Sequence, residues 1–162
     1  MIHTNVRAFI IRESEQGEEI LVQRRVRVNE QQTPIELPGG RLEEFETLER
    51  CLEREIKEET GLDLEEIIDS TERVKTTTAE GFTVECMAPY AVYQTIEGPV
   101  DSFGVYFKCK AVGRLLERGD HTDNIKWVTI NELVVLLRED QLSFVDKAGV
   151  QFFLNQKEVS MN

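Results

Sequence analysis

Apolar residues crowd two stretches near the start of the chain, Val6 to Arg12 (VRAFIIR) and Glu19 to Arg25 (EILVQRR), with the polar segment SEQGEE between them. Density in Val, Ile and Leu bounded by polar residues predicts two strands joined as a hairpin with a loop. Asn29 to Pro34 reads as a polar loop, and Pro38, Gly39 and Gly40 then punctuate IELPGGRLEE, where the chain must turn sharply. From Glu46 to Thr60 no proline or glycine interrupts good helix formers, and Gly61 follows as a stop, which predicts a helix. Strand-like segments recur at Arg73 to Thr78, Thr83 to Met87, Ala91 to Ile96 and Gly104 to Ala111, separated by glycine and proline. Trp127 and Val128 close another short strand. Thr129 and Glu132 have capping-box spacing ahead of ELVVLLRE, and Ser143 and Asp146 similarly precede a last helix ending near Lys157. Helices interspersed with strands predict a single α+β or α/β layered domain with a mixed sheet.

Length adds that 162 residues, 40% of them hydrophobic, suit one sizeable core, so a single domain over residues 1–162 is expected. No apolar run reaches the roughly 20 residues of a membrane span, and the start, MIHTNVRAFIIRES, lacks the pattern of a secretory signal. A cytoplasmic location is the expectation. Cys51, Cys86 and Cys109 are odd in number and widely spaced, which argues against a disulfide framework or zinc site and for buried structural thiols. A net charge of -12, from 31 acids against 19 bases, disfavours long nucleic acid and equally repels a small polyphosphate. A phosphate ligand would need a positive intermediary, and a divalent metal ion is the natural candidate.

The helix brings chemistry into this picture. At about 100° per residue, Phe45, Leu48, Leu52 and Ile56 fall on one apolar stripe, while Glu55, Glu58 and Glu59 cluster on an adjoining one. Glu46, Glu49, Arg50, Glu53, Arg54 and Lys57 fill a face that water solvates without further explanation. Two carboxylates about 4 Å apart repel by roughly 4 kcal/mol at an effective dielectric near 20, so a cation or bound protons must relieve the crowded acids. Hard oxygens without thiolate or imidazole favour Mg²⁺, with Mn²⁺ as the alternative.

Across the whole segment the spacing runs Gly40, then Glu46, then Arg54-Glu55-Ile56-Lys57-Glu58-Glu59-Thr60-Gly61-Leu62. This resembles the Nudix box in full, and the preceding LVQRR and LPGG and the later KWVTINEL extend the resemblance over most of the chain. The resemblance implies a mixed sheet between helices and a metal-dependent hydrolase that cleaves the phosphoanhydride bond of a nucleoside diphosphate linked to another moiety. Carried over by position, Glu55, Glu58, Glu59 and the backbone carbonyl of Gly39 would be the metal ligands, Arg54 would orient the acids, and Glu46 would brace the loop. Many members place a glutamate three residues before the closing tryptophan, where this chain has Asn124; Glu55 is therefore the expected general base, with Asp120 and Asp123 as loop alternatives.

Alternation in ILVQRR places Arg24 on the face of Ile20 and Val22, from which it is expected to reach a substrate phosphate. Tyr90, Tyr93, Phe103, Tyr106 and Trp127 are expected to pack the core, and His3 and His121 show no metal-ligand spacing. Downstream of the box, where family subgroups carry a marking proline or tyrosine, this chain has Thr76, Thr77, Thr78 and Ala79, so a nucleoside triphosphate and a nucleotide sugar stand as comparable substrates. The expected partner is a small nucleoside diphosphate derivative, with no long nucleic acid and no membrane, and relatives are often homodimers. The alternative reading is a catalytically weak nucleotide-binding sensor of the same fold, which the intact acids oppose.

Overall fold

The computed structural model describes residues 1–30, 33–68, 70 and 72–157. In it the first apolar stretch is a long strand, β1 (His3–Ser14), which turns tightly into β2 (Gly17–Arg25). Ser14 pairs with Gly17, so the loop expected between the strands shrinks to Glu15 and Gln16. Both strands are buried on both faces at their centres, which is why they read as apolar runs.

Two short strands follow, β3 (Ile35–Glu36) and β4 (Gly39–Arg41), then helix α1 (Leu48–Thr60) and strand β5 (Asp63–Ile68). A separate hairpin of β6 (Arg73–Thr77) and β7 (Thr83–Met87) precedes β8 (Ala91–Gln94) and β9 (Ser102–Val112). The chain closes with β10 (Arg118–Gly119), β11 (Thr122–Thr129), α2 (Ile130–Arg138) and α3 (Phe144–Gln156). The main sheet runs β10-β11-β2-β1-β9-β5, with β3 beside β2, β4 beside β1 and β8 beside β9. Only β1 and β9 among these pairs are parallel, so the sheet is mixed, as expected of an α+β fold.

One departure from a plain sheet makes room for a site. β1 pairs with β2 through Ile11–Ser14 but with β4 through Asn5–Arg7, so β1 and β2 diverge and the β3–β4 segment wedges between them. The amide of Ala8, in the crotch, donates to Pro38 O at 2.9 Å. Core residues lie on both sides of the sheet. Val6, Ala8, Ile10, Leu21 and Phe107 pack with Cys51, Leu52 and Ile56 of α1. Phe9, Ile20, Val22 and Tyr106 pack with Leu133 and Leu137 of α2 and Val150, Phe153 and Leu154 of α3. Each such fully buried aliphatic side chain stabilises by about 1.5–3 kcal/mol.

Helix α1 starts two residues later than expected. Thr47 is its N-cap, in extended conformation, with its hydroxyl accepting from the amide of Arg50 at 3.1 Å. Gly61 ends it at φ 86°, where a side chain would be strained. Phe45 therefore lies outside the helix at φ 58°, 99% exposed, and the apolar stripe is Leu48, Leu52 and Ile56 without it. Ser143 and Thr129 cap α3 and α2 as their spacing suggested. The thiols divide: Cys51 and Cys109 are buried as expected, but Cys86, on the outlying hairpin, is exposed.

Candidate active site

The wedge between β1 and β2 carries Gly39 and Gly40 against the α1 face of the sheet, and both glycines are required there. Gly39 has φ 153°, and a Cβ on it would come within 2.5 Å of Val6 O, a backbone atom that cannot move aside. A Cβ on Gly40 would meet the carboxyl carbon of Glu55 at 2.5 Å. The Glu55 carboxylate thus occupies the space a side chain would fill.

The box acids of α1 behave differently from one another. Glu59 is almost wholly buried; its Oε1 accepts from the amide of Gly39 at 2.9 Å, and its Oε2 accepts from Nη2 of Arg25 at 3.1 Å. Burial pushes the Glu59 carboxyl up to about 7, the Gly39 amide opposes that rise, and the negative charge of Glu36 adds to it. Glu55 is also raised, first by burial and against the pull of Arg54. Glu58 has 45% of its side chain exposed and lies 3.7 Å from Nη1 of Arg54. Among the described residues no three Asp, Glu, His or Cys side chains converge closely enough to enclose an ion. Glu55, Glu58 and Glu59 share one side of α1 without meeting at a point.

Arg54 ties the helix to the loop before it. Its Nε and Nη2 donate to the two carboxylate oxygens of Glu46 at 2.8 and 2.9 Å, and its Nη1 donates to Glu55 Oε1 at 2.7 Å. The paired guanidinium lowers the Glu46 carboxyl to about 2. Glu46 is thus not one of the solvated helix acids, as its position in the helical wheel suggested. It precedes the helix and is held in the loop.

Arg24 does share a face with Ile20 and Val22, but that face packs toward α2 and α3, opposite α1. Its guanidinium engages Asp123 through Nε at 2.7 Å and Nη2 at 2.5 Å. The residue that reaches the acids is its neighbour Arg25, whose Nη2 lies 2.7 Å from Glu36 Oε1 as well as 3.1 Å from Glu59. Gln23 completes this group, donating to Glu36 at 3.2 Å while its own buried Oε1 has no partner among the described residues. Arg25, Glu36 and Gln23 escaped the sequence reading because both faces of β2 are apolar, so alternation divides the residues into two sets without naming the set that meets α1.

Of the loop acids, Asp123 is taken by Arg24, whereas Asp120 is exposed beside the last turn of α1, its amide donating to Glu58 O at 2.9 Å. Asn124 sits at φ 48° in a strand irregularity between Asp123 and Lys126, a left-handed position that asparagine tolerates. Tyr90 and Tyr106 pack against Phe9, and Trp127 lies under the guanidinium of Arg12, so these rings are structural; Phe103 is 40% exposed.

A cleft of roughly 500 Å³ opens beside the site, lined in part by Asn5, Arg7, Arg25, Arg27, Arg41 and Phe144. Arg25, Arg27 and Arg41 give it positive charge in a chain of net charge -12, whereas Arg7 at its edge is committed to Asp146. In kind, the donor set suits a hard divalent ion: carboxylates only, two of them desolvated and raised, with no thiolate or imidazole among them.

Comparison with known proteins agrees with this geometry. The family model described as NUDIX domain matches residues 1–148. No curated protein sequence matches the chain. Among solved structures, the MutT protein of Methanosarcina mazei superposes with a TM-score of 0.63 at 19% identity, covering 98% of this chain and 96% of its own. The NUDIX domain of Shewanella oneidensis NrtR, solved with ADP ribose, gives 0.63 at 16% identity, covering 98% and 90%. A MutT NUDIX hydrolase of Burkholderia pseudomallei gives 0.53 at 21% identity, covering 81% and 85%. No helix among the described residues is long and apolar enough to cross a membrane. The chain belongs to the Nudix family and is a pyrophosphohydrolase of the kind that hydrolyses nucleoside diphosphates linked to other moieties.

Proposed function

We propose that this enzyme hydrolyses the phosphoanhydride bond of a small nucleoside diphosphate derivative in the presence of Mg²⁺ or Mn²⁺. The observation that carries the reading is the buried Glu59 carboxylate. It is held by the Gly39 amide and by Arg25, which also lines a cleft with Arg27 and Arg41, and the Glu55 carboxylate packs on the neighbouring Gly40. Glu55, Glu58, Glu59 and the Gly39 carbonyl would hold the ion, which when bound supplies neutralisation of the charge that builds on the phosphate oxygens.

The chain's own groups divide the remaining work. Arg54 fixes Glu55 from one side and is itself fixed by Glu46, so the base keeps its direction. Glu55 takes the proton of the attacking water, and burial raises its affinity for protons above that of an ordinary carboxylate. Arg25 takes the phosphate-facing role expected of Arg24, and Arg27 and Arg41 draw the anion into the cleft. The cytoplasm is the proposed setting, and a homodimer is compatible with the family.

The test is release of phosphate and nucleotide from a panel of nucleoside triphosphates, nucleotide sugars, dinucleoside polyphosphates and ADP-ribose, the last because a structural relative binds it. Metal-dependent cleavage of one class supports the reading and names the substrate. An intact panel with a nucleotide bound to folded protein would replace it with the sensor reading.

A further inference from the structure

Behind the catalytic loop lies a buried ion pair that the box does not include. Arg7, on β1, is 6% exposed, and Asp146, in the first turn of α3, is wholly buried. Arg7 Nε donates to Asp146 Oδ1 at 2.8 Å and Nη2 donates to Oδ2 at 2.8 Å. Tyr106 donates its hydroxyl to Oδ1 at 2.9 Å and Ser143 donates to Oδ2 at 3.2 Å. Gly149 lets the tyrosine approach, since a Cβ there would meet its hydroxyl at 2.6 Å. A buried pair of this kind gains little stability over an apolar core of equal volume, because both charges lose their water. Its other contacts point to a further role.

Both backbone groups of Leu37 end on this pair. The Leu37 amide donates to Asp146 Oδ2 at 2.8 Å, and the Leu37 carbonyl accepts from Arg7 Nη2 at 2.6 Å. Leu37 is followed by Pro38 and then Gly39, whose amide holds Glu59. Fixing both peptide groups of Leu37 limits rotation of the loop two residues on, where glycine would otherwise allow it. Polar contacts therefore run from α3 and β1 to Leu37, and the Leu37–Gly39 backbone joins them to the contact that holds the buried acid of α1.

We propose that Arg7 and Asp146 are positioning residues of the hydrolytic site, locking the Leu37–Gly39 segment so that Glu59 and the Gly39 carbonyl are presented together. The proposal rests on the reading that Gly39 and Glu59 serve the ion. Arg7→Lys keeps the charge but not the fork that spans Asp146 and Leu37, and Asp146→Asn keeps the shape but not the charge. Tyr106→Phe removes one hydrogen bond to Asp146 and retains the core ring. That milder variant serves where the others do not fold.

Two quantities are compared with the wild-type chain. Hydrogen exchange of the Gly39 amide should accelerate in each folded variant while that of Phe107, deep in the sheet, does not. The Mg²⁺ concentration for half-maximal turnover should rise about tenfold in Arg7→Lys, as for outer partners of metal ligands, with KM for the nucleotide little changed. Wild-type exchange at Gly39 in a folded variant, Tyr106→Phe included, would overturn the clamp. If the wild-type chain cleaves no nucleotide yet Gly39 loosens in the variants, the clamp survives and the hydrolytic reading falls.

Discussion

Arg25 stands between two buried carboxylates, Glu36 and Glu59, while Arg24 is neutralised by Asp123 on the other face of the same strand. Adjacent arginines so placed make opposite forecasts. Arg25→Ala should raise KM for a good substrate severalfold and Arg24→Ala should leave it unaltered; steady-state kinetics on the two variants decides, and the reverse pattern would return the phosphate to Arg24. At Glu46 the bidentate contact with Arg54 holds the carboxyl at about 2, below its ordinary 4.5. Because the folded value is depressed, the pair contributes stability that is full above the unfolded pKa and lost as pH falls through the folded one. The stability difference between the wild-type chain and Glu46→Gln, from denaturant titrations, should therefore be constant above about pH 5 and shrink toward pH 2. A difference independent of pH over that range would remove the ion pair as its cause.

At the scale of elements, the loop between β3 and α1 depends on two glycines for different reasons. Gly39→Ala drives a methyl into backbone at Val6 and Arg7, whereas Gly40→Ala drives it into the movable end of Glu55. Thermal melts should show the first variant markedly destabilised, by more than the roughly 1 kcal/mol of an ordinary glycine replacement, and the second nearly as stable as the parent but deficient in turnover. Equal melting temperatures would contradict the close approach at Gly39. The long strands and three helices were legible in the sequence because their apolar spacing and caps, Thr129 and Ser143 among them, are local signals. β3, β4 and β10 were not, since two- and three-residue strands exist only through partners distant in sequence. β5, DLEEII, is largely polar on its exposed positions and carries little strand signal of its own. The box acids were readable as a set, but their unequal burial depends on where Gly39, Gly40 and Arg25 fold against α1.

For the molecule as a whole, the sheet separates a face built on α1, which carries the box acids, from a face built on α2 and α3. The outlying β6–β7 hairpin reaches the α1-side core through Met87, the last residue of β7, and carries the exposed Cys86. Burial pushes the thiols of Cys51 and Cys109 up to about 12. Native protein should thus be alkylated at Cys86 alone at neutral pH, and at all three cysteines once unfolded, as read by intact mass and peptide mapping. Labelling of Cys51 in the native state would mean that α1 lifts from the sheet.

On the proposed function, Glu58, the exposed acid of the box, serves hydrolysis and not folding. Its side chain is 45% exposed, so Glu58→Gln should leave the melting temperature intact. The measurement is Mg²⁺-dependent release from the best substrate of the nucleotide panel by the wild-type and Glu58→Gln chains side by side. Turnover should fall by about 10²–10³ in the variant, the scale for losing one group that stabilises transition-state charge, and vanish in both with EDTA. Wild-type turnover in a folded Glu58→Gln variant would contradict it.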